Sequence, residues 1–221
     1  MMTLLEIATN ACATMALDDS ATIDQAKAFV RKRWQLLWSS ELWPQARTLA
    51  TLALTAGTDI VALPATMEMP TLVRRSEDGT VIPVEHELAA MLCDPDAFRA
   101  KAGTPMFWTL IEPAGGFARL RFSAAPAENL ALTAVGKAPC PALALDTDRP
   151  TIPGADLALI AFVEADLYEW TRQVGKAQVK LQEAAGLRQV MLDQALAQSG
   201  QITRIVPWDD GGPGLTLYGK S

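Results

Sequence analysis

Between Ile160 and Met191, apolar side chains recur every three or four residues: Ile160, Val163, Leu167, Trp170, Val174, Ala177, Leu181, Ala184 and Met191, with Arg188 the one polar step. That period matches the α-helical turn and predicts an amphipathic helix. Taken from Asp156 to Gln198, the helix would be roughly 60 Å long at 1.5 Å per residue. Few domains built from 221 residues hold such an element. It dictates the architecture, because other helices must pack along it.

Two shorter helices precede it. Residues 3–16 place Leu4, Leu5, Ile7, Ala8, Ala11 and Met15 at helical spacing, and "LDDSAT" breaks the pattern. Thr22, with Gln25 three residues later, fits a capping box. The face Ile23, Ala26, Phe29, Val30, Trp34 and Leu37 then runs until Pro44 ends the helix. Together with the long helix these predict a three-helix antiparallel bundle. The two short helices cannot cover both faces of the long one.

From Arg47 to Lys137 the texture changes to short apolar runs bounded by Gly and Pro, the pattern of strands. Asp78-Gly79 predicts a tight hairpin turn with both residues at positive φ. Asp94, followed by Pro95, predicts a short helix. The expected fold is α+β: an antiparallel helical bundle with an inserted mainly β lobe and an extended C-terminal tail. Residues 1–45 and 153–198 form the bundle, 46–152 the β lobe with its short helix, and 199–221 the tail. No solenoid-type repeat is present.

Composition excludes several classes. Half of the residues are apolar and the net charge is −6. A chain that gripped nucleic acid would need a surplus of Lys and Arg to neutralise phosphates. No run approaches the roughly 18 apolar residues of a membrane span. The opening segment lacks a basic stretch before its apolar residues, and reads as a helix rather than a signal peptide. Cys12, Cys93 and Cys140 are odd in number and widely spaced, as reduced thiols in a protein made in a cytoplasm would be.

Catalytic chemistry finds little to use. The single histidine, His86, has only its sequence neighbours Glu85 and Glu87 beside it, and reads as a surface or loop residue. The pairs Asp94/Asp96, Asp146/Asp148 and Asp209/Asp210 lack the further oxygen ligands of a calcium loop; the first fits capping and the second a turn. No phosphate-loop spacing accompanies the glycines. Arg31-Lys32-Arg33 reads as a solvated face, with an acidic partner as the other reading. No enzyme activity, cofactor or metal site is expected.

Two features suggest partners instead. Gly175 and Gly186 lie off the apolar seam and each costs about 1 kcal/mol relative to alanine inside a helix. With Val179 and Gln182 they mark a second stripe of modest side chains, fit for close approach of a neighbouring subunit's helix. In the tail, Ile202, Ile205, Val206 and Trp208 fall within seven residues of a glycine-rich segment too poor in apolar groups to order itself. Such a segment is suited to a groove on another protein.

The order of these features resembles that of bacteriophage head-to-tail adaptor (connector) proteins. The resemblance spans roughly residues 3–208. It rests on "RKRWQLLWSSELW", "DPDAFRAKAGTP" and, above all, "GKAPCPALALDTDRPTIPGADLALIAFVEADLYEWTRQVGKAQVKLQEAA". It implies a structural virion protein forming a ring of twelve copies below the portal protein, in the neck between capsid and tail. That ring would extend the channel for viral DNA, bind a tail or nozzle protein, and transfer no catalytic residue. The alternatives are a ligand-binding or enzymatic domain using the β lobe, and a generic oligomeric scaffold.

Overall fold

In the computed structural model, which describes residues 1–84, 101–114 and 117–199, the chain begins with two helices fixed by side-chain caps. α1 (Leu4–Ala13) starts at a capping box: the Thr3 hydroxyl accepts from Glu6 N–H, and the Glu6 carboxylate accepts from Thr3 N–H. α2 (Ser20–Ser40) is capped by Asp19, whose carboxylate accepts from the backbone N–H and hydroxyl of Thr22. The box expected at Thr22 and Gln25 is corrected accordingly. Asp19 caps as well as a threonine does and stands three residues earlier, so the helix has already begun at Thr22.

A single 3-10 turn at Pro44–Ala46 leads into the strands. β1 (Arg47–Leu54), β9 (Leu130–Lys137), β3 (Met69–Arg75) and β4 (Val81–Ile82) form an antiparallel sheet in the order β1-β9-β3-β4. β2 (Ile60–Ala62), β7 (Phe117–Phe122) and β6 (Trp108–Ala114) form a second, in the order β2-β7-β6. β5 (Lys101–Ala102) and β8 (Ala124–Ala125) make a short parallel pair. Between the sheets lies a core that includes Leu54, Val73, Trp108, Leu120, Phe122 and Leu132. The Asp78-Gly79 turn is present in a longer form than expected: Arg75 N–H bonds the Thr80 carbonyl, and only Gly79 takes positive φ. Asp78 instead accepts from Thr80 N–H through its side chain. The short helix expected at Asp94 lies outside the described residues, as do His86 and the tail.

β9 passes β3 at a bulge between Pro70 and Leu72. A Cβ at Gly136 would collide with the Met69 carbonyl oxygen and lie 2.8 Å from Pro70 Cα. Only glycine lets the strands approach there.

The long helix is not continuous. α3 (Ala155–Trp170) ends, and α4 (Val174–Ser199) folds back along it. The break is a Schellman motif: Gln173 N–H bonds the Tyr168 carbonyl and Arg172 N–H bonds that of Glu169, with Arg172 left-handed at φ 62°. Gln173 then accepts from Lys176 and Ala177 N–H to open α4. Four helices therefore pack together where three were expected. α3 explains why: it buries Ala158, Leu159, Ala161, Val163, Ala165 and Leu167 around most of its circumference. α1 and α2 cover one side of it and α4 the other, as a helix apolar all round requires. The seam divides with the fold. Leu167, Ala177, Ala184 and Met191 are buried, whereas Trp170 is 55% exposed and Leu181 37% exposed. No helix among the described residues is long and apolar enough to cross a membrane.

Leu167→Ala should therefore lower stability by about 3 kcal/mol, the usual cost of a cavity in a packed core, and Leu181→Ala by less than about 1 kcal/mol. Urea unfolding of both variants checks this; equal losses would mean that the seam is buried along its whole length. Hydrogen bonds to Thr3 and Thr22 hold the Glu6 and Asp19 carboxyls below the usual carboxylate range. Their contribution is complete above the unfolded-state values and is lost as pH falls through the lowered folded ones. Melting temperature should accordingly drop below about pH 4, and Asp19→Asn should flatten that drop.

Candidate assembly interface

The site is built outward from the segment that follows β9. Pro139 and Pro141 cannot continue the strand ladder because they lack N–H groups. Residues 137–146 instead lie antiparallel along α2. Lys27, Arg31, Trp34 and Trp38, spaced four, three and four apart on one helical face, donate to this strap. The Trp38 indole bonds the Ala138 carbonyl at 3.1 Å and the Trp34 indole bonds that of Pro141 at 2.7 Å. Arg31 bonds the Leu143 and Ala144 carbonyls, and Lys27 pairs with Asp146 at 2.9 Å. At the far end, buried Lys137 donates to the Ser39 carbonyl in the last turn of α2. The strap then serves α1: its Asp146 and Asp148 carbonyls accept from Leu5 and Leu4 N–H. Asp148 also closes its own turn on Leu145 N–H, the role expected of that pair.

Ion pairs join the helices. Arg33 gives two N–H groups to Asp166 and stacks on Phe162 at 5.2 Å. Of the cluster read as a solvated face, Arg31 and Arg33 are thus engaged within the protein, and Lys32 alone is exposed. Glu164, 4% exposed, accepts from Thr14 and pairs with Lys180 at 2.7 Å, joining α1, α3 and α4. Glu164 and then Glu183 hold the Lys180 ammonium well above the usual lysine range. Arg188 pairs with Glu41 just past α2. Cys12 and Cys140 are free thiols, and burial, assisted by Glu68, pushes Cys140 up to about 11. Neither is placed as a nucleophile.

α4 turns Ala177, Ala184 and Met191 inward. At about 100° per residue, Gly175, Val179, Gln182 and Gly186 fall roughly half a turn away, in the middle of the outer face. All four are exposed, Val179 at 62%, and a Cβ at either glycine would meet nothing within 4 Å. The structure thus brings these four candidates onto one surface. Gln178, Ala185, Gln189 and Val190 extend it, and the exposed Asp193, whose carboxylate accepts from Gln189, lies at its far end. Ile202, Ile205, Val206 and Trp208 lie outside the described residues. Sequence reading missed the exposed Trp170 and Val174 beside the turn, because the assumption of one straight helix assigned both to the buried seam.

The β lobe carries an apolar groove of about 430 Å³, lined by Met69, Pro70, Thr71, Val84, Trp108, Thr109 and Leu110. Among the described residues, no titratable side chain lines it. Among the described residues, no group of three His, Cys, Asp or Glu is placed to hold a metal.

Lys180→Met should cost about 3 kcal/mol, because it leaves the buried Glu164 charge without its partner. Adding Glu164→Gln should restore most of that loss, and a double-mutant cycle by denaturant unfolding measures the coupling. Additive losses would show that the pair is not coupled.

Among curated proteins no match is found. A family model described as the SU10 adaptor protein matches residues 2–210. That span takes in the strap, the four described helices and the described strands, so the chain belongs to the SU10 adaptor protein family, whose members are structural phage head-to-tail adaptors.

Proposed function

We propose that this adaptor forms a ring of twelve copies in the virion neck, below the portal protein. In that position it extends the channel for viral DNA and offers the platform to which a tail or nozzle protein attaches. The observation that carries the reading is the outer face of α4. Gly175, Val179, Gln182 and Gly186 are exposed, uncharged and turned away from the subunit's own core, and small side chains there allow a neighbouring copy to approach closely. We take residues 1–45 and 153–198 as the bundle unit and 46–152 as the β lobe, in line with the two separate cores. Leu143 and Ile152, however, pack with the helices. Residues 199–221 are the reaching segment, with Ile202, Ile205, Val206 and Trp208 docking on the portal or the next adaptor.

A net charge of −6 suits a conduit that DNA must slide through without being held, since phosphate neutralisation is what grips a duplex. Nothing in this role requires turnover, metal or cofactor. The protein would be made in the host cytoplasm and act only once incorporated into the particle.

Val179→Glu combined with Gly186→Glu should abolish ring formation, seen by native mass spectrometry, while circular dichroism and melting temperature stay near those of the parent. An intact ring would remove this face from the interface. Hydrogen exchange should show residues 202–208 protected in the assembly and open in the isolated subunit. Equal protection in both would mean that the tail packs on its own subunit. Nanomolar affinity for duplex DNA at physiological salt would contradict the conduit role.

A further inference from the structure

α4 is attached to its own subunit in an unusual way. Among the described elements, it packs along α3 and against no other to a comparable degree. Beyond the apolar packing of Ala177, Ala184, Leu187 and Leu192, its fixed points are Lys180 on Glu164, Arg188 on Glu41, and Met191 beside Gly154. The tether is three residues, Thr171, Arg172 and Gln173, with neither glycine nor proline among them. Arg172 occupies a left-handed conformation that an L side chain rarely adopts. On either side, Trp170 and Val174 are 55% and 59% exposed, yet both belong to the apolar period that runs through the turn.

The same residues are therefore compatible with two backbones that differ only at the tether. One is the hairpin. The other is a single helix from Ala155 to Ser199, in which Trp170 and Val174 stand one turn apart on the same stripe as Leu167 and Ala177. Straightening carries α4, about 39 Å long at 1.5 Å per residue, away from its own α3. It leaves two complementary surfaces open: the inner face of α4, and the groove on α3 that held it. A second copy presents the same two surfaces.

We propose that α4 is exchanged between copies. In the assembly, α4 of one subunit lies on α3 of the next, pairing Lys180 with the neighbour's Glu164 and Arg188 with its Glu41. Every pairing that opens within a subunit re-forms between subunits, so the balance rests on the tether, where straightening also relieves the left-handed arginine. A three-residue hinge under strain favours exchange, and a longer or relaxed one favours the closed hairpin. Passing α4 in one direction from copy to copy rests on the ring reading above; the exchange itself does not.

The test is a cysteine pair, Glu164→Cys with Lys180→Cys, oxidised in the assembled full chain and run on a non-reducing gel beside the parent. Exchange predicts covalent multimers; disulfides confined within single chains would overturn it, even in an intact ring. Covalent pairs without any closed particle would support the exchange and remove the ring. If the cysteine pair does not fold, two hinge variants decide. Arg172→Gly relieves the closed form and should raise the concentration of half-association about tenfold. The triple replacement Thr171→Ala, Arg172→Ala and Gln173→Ala favours continuous helix and should lower it. Identical association of both variants and the parent overturns the proposal.

Discussion

On leaving β9 the backbone loses its strand partners at Pro139, and the carbonyls held against α2, those of Ala138, Pro141 and Leu143, would be partly buried and unpaired if that helix did not meet them. A buried carbonyl without a donor costs as much as a lost hydrogen bond. The face Lys27, Arg31, Trp34 and Trp38 supplies the donors, and the rings of Trp34 and Trp38 also build the helical core. Trp34 and Trp38 are buried, with ring centroids 5.4 Å apart, and each aims its N–H at the strap. The same segment then satisfies the first N–H groups of α1. The helical half and the β half are thus joined largely through side-chain donors on α2 and the carbonyls of the strap rather than through one shared apolar core. This explains how two distinct hydrophobic clusters can belong to one fold.

Glu164 extends that logic into the bundle. A carboxylate this deeply buried contributes little net stability, but with Thr14 on one side and Lys180 on the other it admits only one register of α1, α3 and α4. Apolar contacts among the alanines of α3 and α4 would tolerate a slide of one turn; this charge pair would not. It lies in the "A-x-x-E-A-D" step of the stretch that most resembles the adaptor family, and Asp166, bound by Arg33, lies in the same step. Those letters now have a structural reason. The "G-K" that opens the stretch has one too, in the close strand approach at Gly136 and the hydrogen bond from Lys137 to α2.

Much of the fold was legible in the sequence because it is written in local patterns. Strand positions followed from apolar runs between Gly and Pro, and α2 from its period and Pro44. The hairpin of α3 and α4 was not legible, since its stop signal is an arginine in the position where glycine is usual. Apolar residues on both sides of the turn kept the helical period unbroken. The Asp19 cap was missed for a different reason: Asp18, Asp19, Ser20 and Thr22 are all acceptable caps, and residue type alone does not choose among them. At the candidate interface, the stripe Gly175, Val179, Gln182 and Gly186 could be read because helical geometry alone fixes which residues share a face. The surface it opposes could not, because that depends on where the chain turns back.

α4 is built of small residues on two opposite faces. Inward it presents Ala177 and Ala184, outward Gly175 and Gly186, and its long aliphatic side chains fall mostly between them or near its far end. Small inner residues bring α3 close, so a modest apolar area suffices to seat the helix when Lys180 and Arg188 fix its position at the margins. Small outer residues leave room for a second helix at similarly short range. A helix serving only its own subunit would gain from replacing both glycines by alanine, at about 1 kcal/mol each. On the reading proposed here, that forgone stability is recovered between copies, where close approach of two backbones gives dispersion contacts along the full length of the stripe. The helix least committed to its own core is then the one best placed to hold a ring together.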